Sequence, residues 1–199
     1  MTTLPENPGK SGKIISGGQS FNFFTKKQWG GLNASSTVKI NLPVPYVLIS
    51  HTAGGMCYEK DTCMRILRDI QKDQMSRTPP YADIAYNFLV GGDGNIYEGR
   101  GWTNRGPSEG FVNNKHVNIN FIGDFSVYDS PTQPQVDAVK ALIEYGLNNS
   151  MIAQDFSLIA HNATYNTLSP GKNVYKIIKT WPHFDPNPKD HIPDKKNKE

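Results

Sequence analysis

Long hydrophobic runs, strong net charge and abundant cysteine are all missing from this sequence. Among its 199 residues no apolar stretch approaches the roughly 20 residues that a membrane-spanning helix requires, and the first 20 residues are too polar for the apolar core of a signal peptide. Any targeting or anchoring segment is therefore expected to lie outside this chain. Lys and Arg number 21 against 18 Asp and Glu, and the basic residues are scattered, so no nucleic-acid partner is predicted.

The residues that are present suit one folded domain. Apolar residues make up 37% and aromatic residues 11% of the sequence, which is enough for a sizeable core and excludes wholesale disorder. Residues 1–20 are rich in Gly, Ser, Pro and Lys without periodicity, and residues 185–199 combine prolines with balanced charges, so both segments are expected to be flexible. The domain is predicted to span residues 21–184.

Strand and helix patterns alternate within that domain. Short apolar or alternating runs predict strands at residues 46–51, 86–90, 95–98, 117–121 and 156–160. The second and third of these flank Gly91-Gly92-Asp93-Gly94, a turn sequence that predicts a hairpin. Helical spacing of apolar residues predicts helices over about 60–75, after Thr132 or Gln133, and after Ser169-Pro170. The interleaving predicts an α/β domain with a central mixed β-sheet flanked by three main helices.

The two cysteines, Cys57 and Cys63, are separated by five residues in a loop that leads into the first predicted helix. A metal pair would need further ligands, and this spacing matches no common zinc pattern. Two free buried thiols and a short disulfide are the other interpretations, and a disulfide closing so small a loop would stabilise the fold by about 2 kcal/mol. Three Asn-x-Ser/Thr triplets, at Asn33, Asn148 and Asn162, are candidate glycosylation sites and fit the oxidising route that a disulfide needs.

Six motifs in a fixed order resemble one family, the peptidoglycan recognition proteins of animal innate immunity, which are related to phage and bacterial zinc amidases. They are QWGG at 28–31, ISHTAGGMC at 49–57, DIAYNFLVGGDGNIYEGRGW at 83–102, NFIGDF at 120–125, TLSPG at 167–171 and WPHF at 181–184. The resemblance covers about residues 24–184. It implies the amidase-like mixed sheet with three helices, and a Cys57–Cys63 disulfide. The chain is most similar to the non-catalytic insect receptor branch, the LC, LE and LF ectodomains.

In family members that cut peptidoglycan, a zinc ion is held by two histidines and a cysteine. Carried over motif by motif, these ligands fall on Ser50, His161 and Ser169, so two of the three are hydroxyls. A neutral serine is a poor zinc ligand beside imidazole or thiolate. Because successive strand side chains point to opposite faces, the neighbouring His51 cannot replace Ser50. No catalytic residue, metal or other cofactor is therefore predicted. On the residues alone, Ser50 equally suits a strand end, His161 a groove position and Ser169 a helix N-cap.

The resemblance also implies a groove for the peptide stem of a muropeptide. The residues expected to contact ligand there are His51, Tyr86, Arg100, Trp102 and His161. In insect receptors of the family an arginine at the position of Arg100 goes with stems containing meso-diaminopimelic acid. A guanidinium can bind the extra carboxylate of that residue by donating two charge-assisted hydrogen bonds to it. Arg100 can instead pair with a protein carboxylate such as Glu98 or Glu109.

Three functions follow from these expectations. The first is a non-catalytic receptor domain that senses diaminopimelic-type muropeptides. The second is a co-receptor or decoy with an occluded groove that pairs with a ligand-loaded relative; it is motivated by departures from the family pattern at Gln74, Pro80 and Ser108. The third is a residual zinc amidase. The expected partners are a muropeptide and a second chain of the family, in a homo- or heterodimer. The expected location is extracellular, either as the ectodomain of a membrane receptor or as a secreted protein.

Overall fold

A computed structural model describes residues 12–107 and 110–188. Its seven strands are β1 (Gly12–Ser16), β2 (Gln19–Phe24), β3 (Val44–His51), β4 (Phe88–Val90), β5 (Ile96–Glu98), β6 (His116–Phe121) and β7 (Ile152–Ala160). Its three α-helices are α1 (Lys60–Ser76), α2 (Gln133–Asn148) and α3 (Lys172–Ile178), and two short 3-10 helices cover Gly110–Val112 and His161–Ala163. The predicted α/β class with a mixed sheet and three helices is confirmed.

All seven strands form one sheet, in the order β1-β2-β5-β4-β6-β3-β7. The β1–β2 and β4–β5 pairs are antiparallel hairpins, whereas β3 is parallel to both β6 and β7, and β4 is parallel to β6. The predicted β4–β5 hairpin is therefore present, and Gly94 at its turn has φ 76°, a conformation that favours glycine. The carboxyl ends of β3, β4, β6 and β7 meet at one edge of the sheet.

The sheet buries an apolar face against α2 and α3 and a second face against α1. Val47, Ile49 and Ile119 belong to the core cluster that includes α2 and α3. Leu89 and Tyr97 belong instead to the cluster around Leu67 of α1, because alternate strand residues point to opposite faces. The predicted helix start at residue 132 is confirmed: the Thr132 side chain accepts a hydrogen bond from the Gln135 backbone N–H at 3.2 Å.

The amino-terminal prediction needs correction. Residues 12–20 are not a loose segment, because they form β1 and the start of β2, and β2 pairs in parallel with β5. The side chain of Ile14 is fully buried in the main core, which ties this hairpin to the domain. Residues 1–11 and 189–199, where flexibility was also expected, lie outside the described residues. At the other end of the domain, Asp185 donates its backbone N–H to the Leu158 carbonyl at 2.9 Å.

The two cysteines form a disulfide between the β3–α1 loop and the first turn of α1. The Cα atoms of Cys57 and Cys63 are 5.2 Å apart, and both side chains are buried. A Cβ added to Gly91, in the β4–β5 turn, would lie 2.6 Å from the Cys63 sulfur. The start of α1 therefore packs closely against that turn, and the bridge ties it to the loop after β3. Within the described part of the chain, no helix has both the length and the apolar character that crossing a bilayer requires.

Candidate functional site

Ser50 and His161 lie at the carboxyl ends of two neighbouring parallel strands. Ile49 of β3 is in register with Ala160 of β7, so the next residues, Ser50 and His161, are adjacent. Ser50 is also in register with Asn120 of β6. Register partners in a sheet point to the same face, so the side chains of Ser50 and Asn120 lie on the face that carries α1, and His161 follows the end of the adjacent strand. In open α/β sheets, the crevice outside the carboxyl ends of strands is the usual binding site.

The Ser50 hydroxyl is fully engaged inside the protein. It donates to the side-chain carbonyl of Asn118 at 2.6 Å and accepts from the side-chain amide of Asn120 at 2.8 Å. Ser50 and Asn120 have no exposed surface, and Asn118 is 3% exposed. The hydroxyl is therefore a member of a buried polar network, which uses its proton and one of its two oxygen lone pairs.

Ser169 lies close to the same strand end but does not cap a helix. Its Oγ accepts the backbone N–H of His51 at 3.0 Å, and the residue is only 6% exposed. The prediction that Ser169 is the N-cap of α3 is wrong: the N-cap is Gly171, at φ 87°, and no side chain caps that helix. The hydroxyl instead satisfies a strand-end N–H of β3, and so joins the Thr167–Gly171 loop to the site.

His51 faces the opposite side of the sheet from Ser50, as strand alternation predicted. Its ring lies 6.2 Å from the ring of Phe125, and its Nδ1 accepts the Phe125 backbone N–H at 3.2 Å. Burial lowers the pKa of His51, and the nearby Asp124 carboxylate, 4.0 Å from Nδ1, partly opposes that shift. The residue is 5% exposed. Its contact with ligand stays a prediction; in this structure His51 is a hydrogen-bonded core residue behind the site.

Trp102 also belongs to the core. Its ring lies 4.6 Å from that of Phe88 and 6.2 Å from that of Tyr145, and 8% of the residue is exposed. Its contact with ligand also stays a prediction. In this structure the Trp102 ring packs between the sheet and α2.

Arg100 is held by main-chain carbonyls. Its guanidinium donates to the carbonyl oxygens of Ile84 at 2.6 Å, Arg105 at 2.7 Å and Asp83 at 3.0 Å. Burial lowers the pKa of Arg100, although a guanidinium stays charged at neutral pH. The suggested pairing with Glu98 is not present, since that carboxylate accepts the Lys26 backbone N–H at 3.0 Å. The other suggested partner, Glu109, lies outside the described residues.

A cavity of about 320 Å³ remains beside Arg100 despite the bulky loop around Pro80. Its lining includes Pro80, Tyr81, Arg100 and Arg105, so two arginine residues border one space. Tyr86 is half-buried next to the α1 cluster, and its carbonyl accepts the Arg100 backbone N–H at 2.9 Å. Gln74, one of the departures from the family pattern, is buried, and its side-chain carbonyl accepts the Ala85 N–H at 2.8 Å. Ser108 lies outside the described residues.

His161 is the most accessible of the three residues that the family resemblance aligns with zinc ligands. It begins the 3-10 helix His161–Ala163 and is half-buried, whereas Asn162 beside it is exposed. The donor set does not fit zinc: one imidazole is joined by two hydroxyls that are already bonded inside the protein, and neutral hydroxyls compete poorly as zinc ligands. Among the residues that the structure describes, no cluster of three or more His, Cys, Asp or Glu side chains is arranged to hold a metal.

Sequence reasoning missed the role of three asparagines. The alternation of residues 117–121 placed Asn118 and Asn120 on one polar face, but it did not show that this face meets Ser50. Asn87 was not singled out, yet its side chain accepts the Asn118 N–H at 2.9 Å and donates to the carbonyls of Gly101 at 2.7 Å and Asn104 at 2.9 Å. The strand register was the missing information.

Comparisons with known proteins identify the family of this chain. The chain matches the N-acetylmuramoyl-L-alanine amidase family over residues 40–172. It is 36% identical over 160 residues to peptidoglycan recognition protein 1 of Rattus norvegicus, which covers 80% of this chain and 86% of that protein. The chain belongs to the peptidoglycan recognition protein family.

Two solved structures are informative neighbours. One contains tracheal cytotoxin bound to the ectodomain complex of peptidoglycan recognition proteins LCa and LCx; it has a TM-score of 0.78 and 35% identity, covering 82% of this chain and 98% of that one. The other is peptidoglycan recognition protein LE with tracheal cytotoxin, a monomeric diaminopimelic acid-type peptidoglycan; it has a TM-score of 0.77 and 36% identity, covering 82% of this chain and 95% of that one.

Proposed function

We propose that this chain is a non-catalytic receptor domain that binds muropeptides without hydrolysing them. The observation that carries the non-catalytic part is the Ser50 hydroxyl, which is buried and bonded to both Asn118 and Asn120 at a position where an amidase of the family has a zinc ligand. The Ser169 hydroxyl is likewise bonded to the backbone of β3. Without a bound metal, water has no Lewis acid to lower its pKa and become a nucleophile at neutral pH.

The ligand class is proposed to be diaminopimelic-type muropeptide. Support comes from the cavity of about 320 Å³ that Arg100 and Arg105 border, and from relatives whose solved structures contain tracheal cytotoxin. Arg100 uses one N–H on each of its three nitrogens for carbonyls. A guanidinium has five N–H groups, so two remain for a carboxylate. Tyr86, Arg100 and His161 are the residues that we assign to ligand contact.

Titration of a purified muropeptide tests both parts of this proposal. Isothermal titration calorimetry with tracheal cytotoxin and with a lysine-type muropeptide is expected to give micromolar or tighter binding only for the first. Incubation of the same samples with zinc and analysis by mass spectrometry is expected to show no release of the stem peptide. Release of the stem peptide, together with stoichiometric zinc in the purified protein, would overturn the non-catalytic assignment.

A co-receptor or decoy function is the second candidate, and the engagement of Arg100 favours it. An arginine already bonded to three carbonyls has less to offer a free ligand, and Pro80 and Tyr81 narrow the same space. In this case the chain would bind a muropeptide only as part of a dimer with a second family member, as tracheal cytotoxin lies in the LCa–LCx ectodomain complex. Binding that requires the added partner would select this function, and binding by the lone domain would exclude it.

An extracellular location is proposed on the same grounds, as a secreted protein or a receptor ectodomain. The Cys57–Cys63 disulfide belongs to an oxidising compartment. The three candidate glycosylation sites, Asn33, Asn148 and Asn162, are all exposed. Expression in a secreting eukaryotic host followed by glycosidase treatment is expected to reveal N-linked glycans, and single Asn→Gln variants assign them. A chain that is secreted without any glycan would refute all three sites.

A further inference from the structure

Two asparagines converge on the position where an amidase would have its first zinc ligand. Asn120 sits beside Ser50 in the β3–β6 register, and Asn118 lies two residues earlier on the same face of β6. Their amide groups approach the Ser50 Oγ to 2.8 and 2.6 Å. These are hydrogen-bond distances, and they are shorter than the roughly 3.5 Å at which a carbon atom packs well against its neighbours. The space beyond the serine hydroxyl is therefore already filled.

Asn118 is also held in place through its backbone, by a third asparagine. The Asn118 backbone N–H donates to Asn87, whose side-chain amide is in turn bonded to the carbonyls of Gly101 and Asn104. Asn87 has no exposed surface. Moving Asn118 aside would break or strain bonds that also hold the loop after Arg100, and buried polar groups that lose their partners are costly. The asparagine pair cannot simply swing away to admit a larger side chain.

We infer that the loss of zinc binding in this chain is enforced twice, first by the serines and second by Asn118 and Asn120, which close the metal position. A histidine introduced at residue 50 would place ring carbon near the present Oγ, within about 3 Å of both asparagine amides, where it would be overpacked. Restoring imidazole and thiolate at positions 50 and 169 is therefore not sufficient to restore a zinc site. Removal of the two asparagine amides is also required.

Zinc affinity in two sets of variants tests this inference. The first set is Ser50→His with Ser169→Cys. The second set carries the same changes together with Asn118→Ala and Asn120→Ala. Competition against a chromophoric chelator measures the affinity for zinc, and the visible absorption of added Co²⁺ reports a tetrahedral site. The second set is expected to bind zinc roughly 10- to 100-fold more tightly than the first. In the first set, zinc binding has to overcome either the steric clash of the introduced histidine with the two asparagine amides or the loss of two hydrogen bonds when these amides move.

Asn118→Ala with Asn120→Ala, in a chain that keeps both serines, is the matched control. It is expected to gain no zinc affinity, because space without ligands does not bind the ion. Equal affinities in the two ligand-restored sets would overturn the inference, and so would failure of the second set to bind zinc. A gain of affinity in the control equal to that of the second set would also overturn it.

A stability measurement gives an independent test that involves no metal. Ser50→His is expected to lower the melting temperature of the otherwise unchanged protein by more than it lowers that of the Asn118→Ala variant, because the clash with the Asn118 amide is then absent. The same loss in both backgrounds would contradict the inference. This test remains decisive when the multiple variant folds poorly, since each comparison needs only one or two substitutions.

The inference rests on the proposed function, and different experiments separate their failures. Zinc binding by the wild-type chain would contradict both. Tight zinc binding by Ser50→His with Ser169→Cys alone would contradict only the closure by Asn118 and Asn120, and would leave the wild-type function unchanged.

Discussion

Replacing Arg100 by alanine should destabilise the domain before it affects ligand selectivity. The guanidinium donates to three carbonyls, and two of these belong to the buried residues Asp83 and Ile84. Each buried acceptor left without a donor costs about 1–3 kcal/mol. Because Arg100 is half-buried and water can replace part of the lost bonding, we take the lower half of the sum, about 2–4 kcal/mol.

That loss is large enough to be measured directly. For a domain of this size each kcal/mol shifts the melting temperature by about 2–4 °C, so Arg100→Ala should lower it by about 5–15 °C. Thermal unfolding followed by far-UV circular dichroism gives the value. Arg105→Ala is the matched control, because Arg105 borders the same cavity but, among the described residues, its side chain bonds only the exposed Asn114, at 2.9 Å. We expect that variant to melt within about 2 °C of wild type.

The ligand titration then separates two roles of the same residue. When Arg100 is mainly a structural clamp, Arg100→Ala weakens binding of diaminopimelic-type and lysine-type muropeptides alike. When Arg100 donates hydrogen bonds to the ligand carboxylate, Arg100→Ala lowers the affinity about 10- to 100-fold, and only for the diaminopimelic-type ligand. An unchanged melting temperature combined with a selective loss of affinity would refute the clamp deduced from the three carbonyl contacts.

Three further perturbations follow from the structure. Cys57→Ser with Cys63→Ser should lower the free energy of unfolding by about 2 kcal/mol, the loop-entropy value for so short a loop, and urea unfolding with and without reductant checks it. Burial lowers the pKa of His51, so the unfolded chain binds more protons than the folded one; stability from this group is complete above its unfolded pKa of about 6.5 and is lost as pH falls below it. The melting temperature should therefore fall from pH 7 to pH 5 more steeply than in His51→Gln, and parallel profiles would contradict this. Gly171→Ala should destabilise by more than about 1 kcal/mol, because φ there is 87° and the new Cβ would lie 2.5 Å from a backbone carbon of Phe125; an unchanged denaturation midpoint would contradict the geometry.

The parts of the fold that the sequence predicts well are those with strong local signals. The β4–β5 hairpin follows from a glycine-rich turn between two apolar runs, and the α2 start follows from Thr132 placed just before Pro134. The β1–β2 hairpin was missed because its turn, Gly17-Gly18, stands in a segment whose Gly and Ser content indicates a loose tail. Only pairing of β2 with the distant β5 makes that segment part of the sheet, and such long-range pairing leaves no local pattern.

The site was predicted in part for a related reason. Motif position located Ser50, His161 and Ser169, and strand alternation assigned His51 to the other face. The bonding partners of these residues were beyond a single sequence: Asn120 is 70 residues away from Ser50 in the chain, and Ser169 is 118 residues away from His51. The motif likewise located Arg100 and Trp102, but only the packed structure shows that main-chain carbonyls and core rings surround them.

The geometry around Ser50 bears on two separate properties, the binding of zinc and the space that a muropeptide can enter. Under the proposed function, a serine in place of a metal ligand abolishes zinc binding, but by itself it leaves a polar hollow that water or a ligand can enter. Here the Asn118 and Asn120 amides occupy that hollow and bond the hydroxyl from two sides, so this part of the site floor is polar and buried. Under the proposed function, ligand recognition then depends on the more accessible groups at either side, His161 at one end and the cavity beside Arg100 at the other. A muropeptide that binds this chain is therefore expected to contact the floor through shape alone, and its affinity should change little in Ser50→Ala once the stability loss of that variant is taken into account.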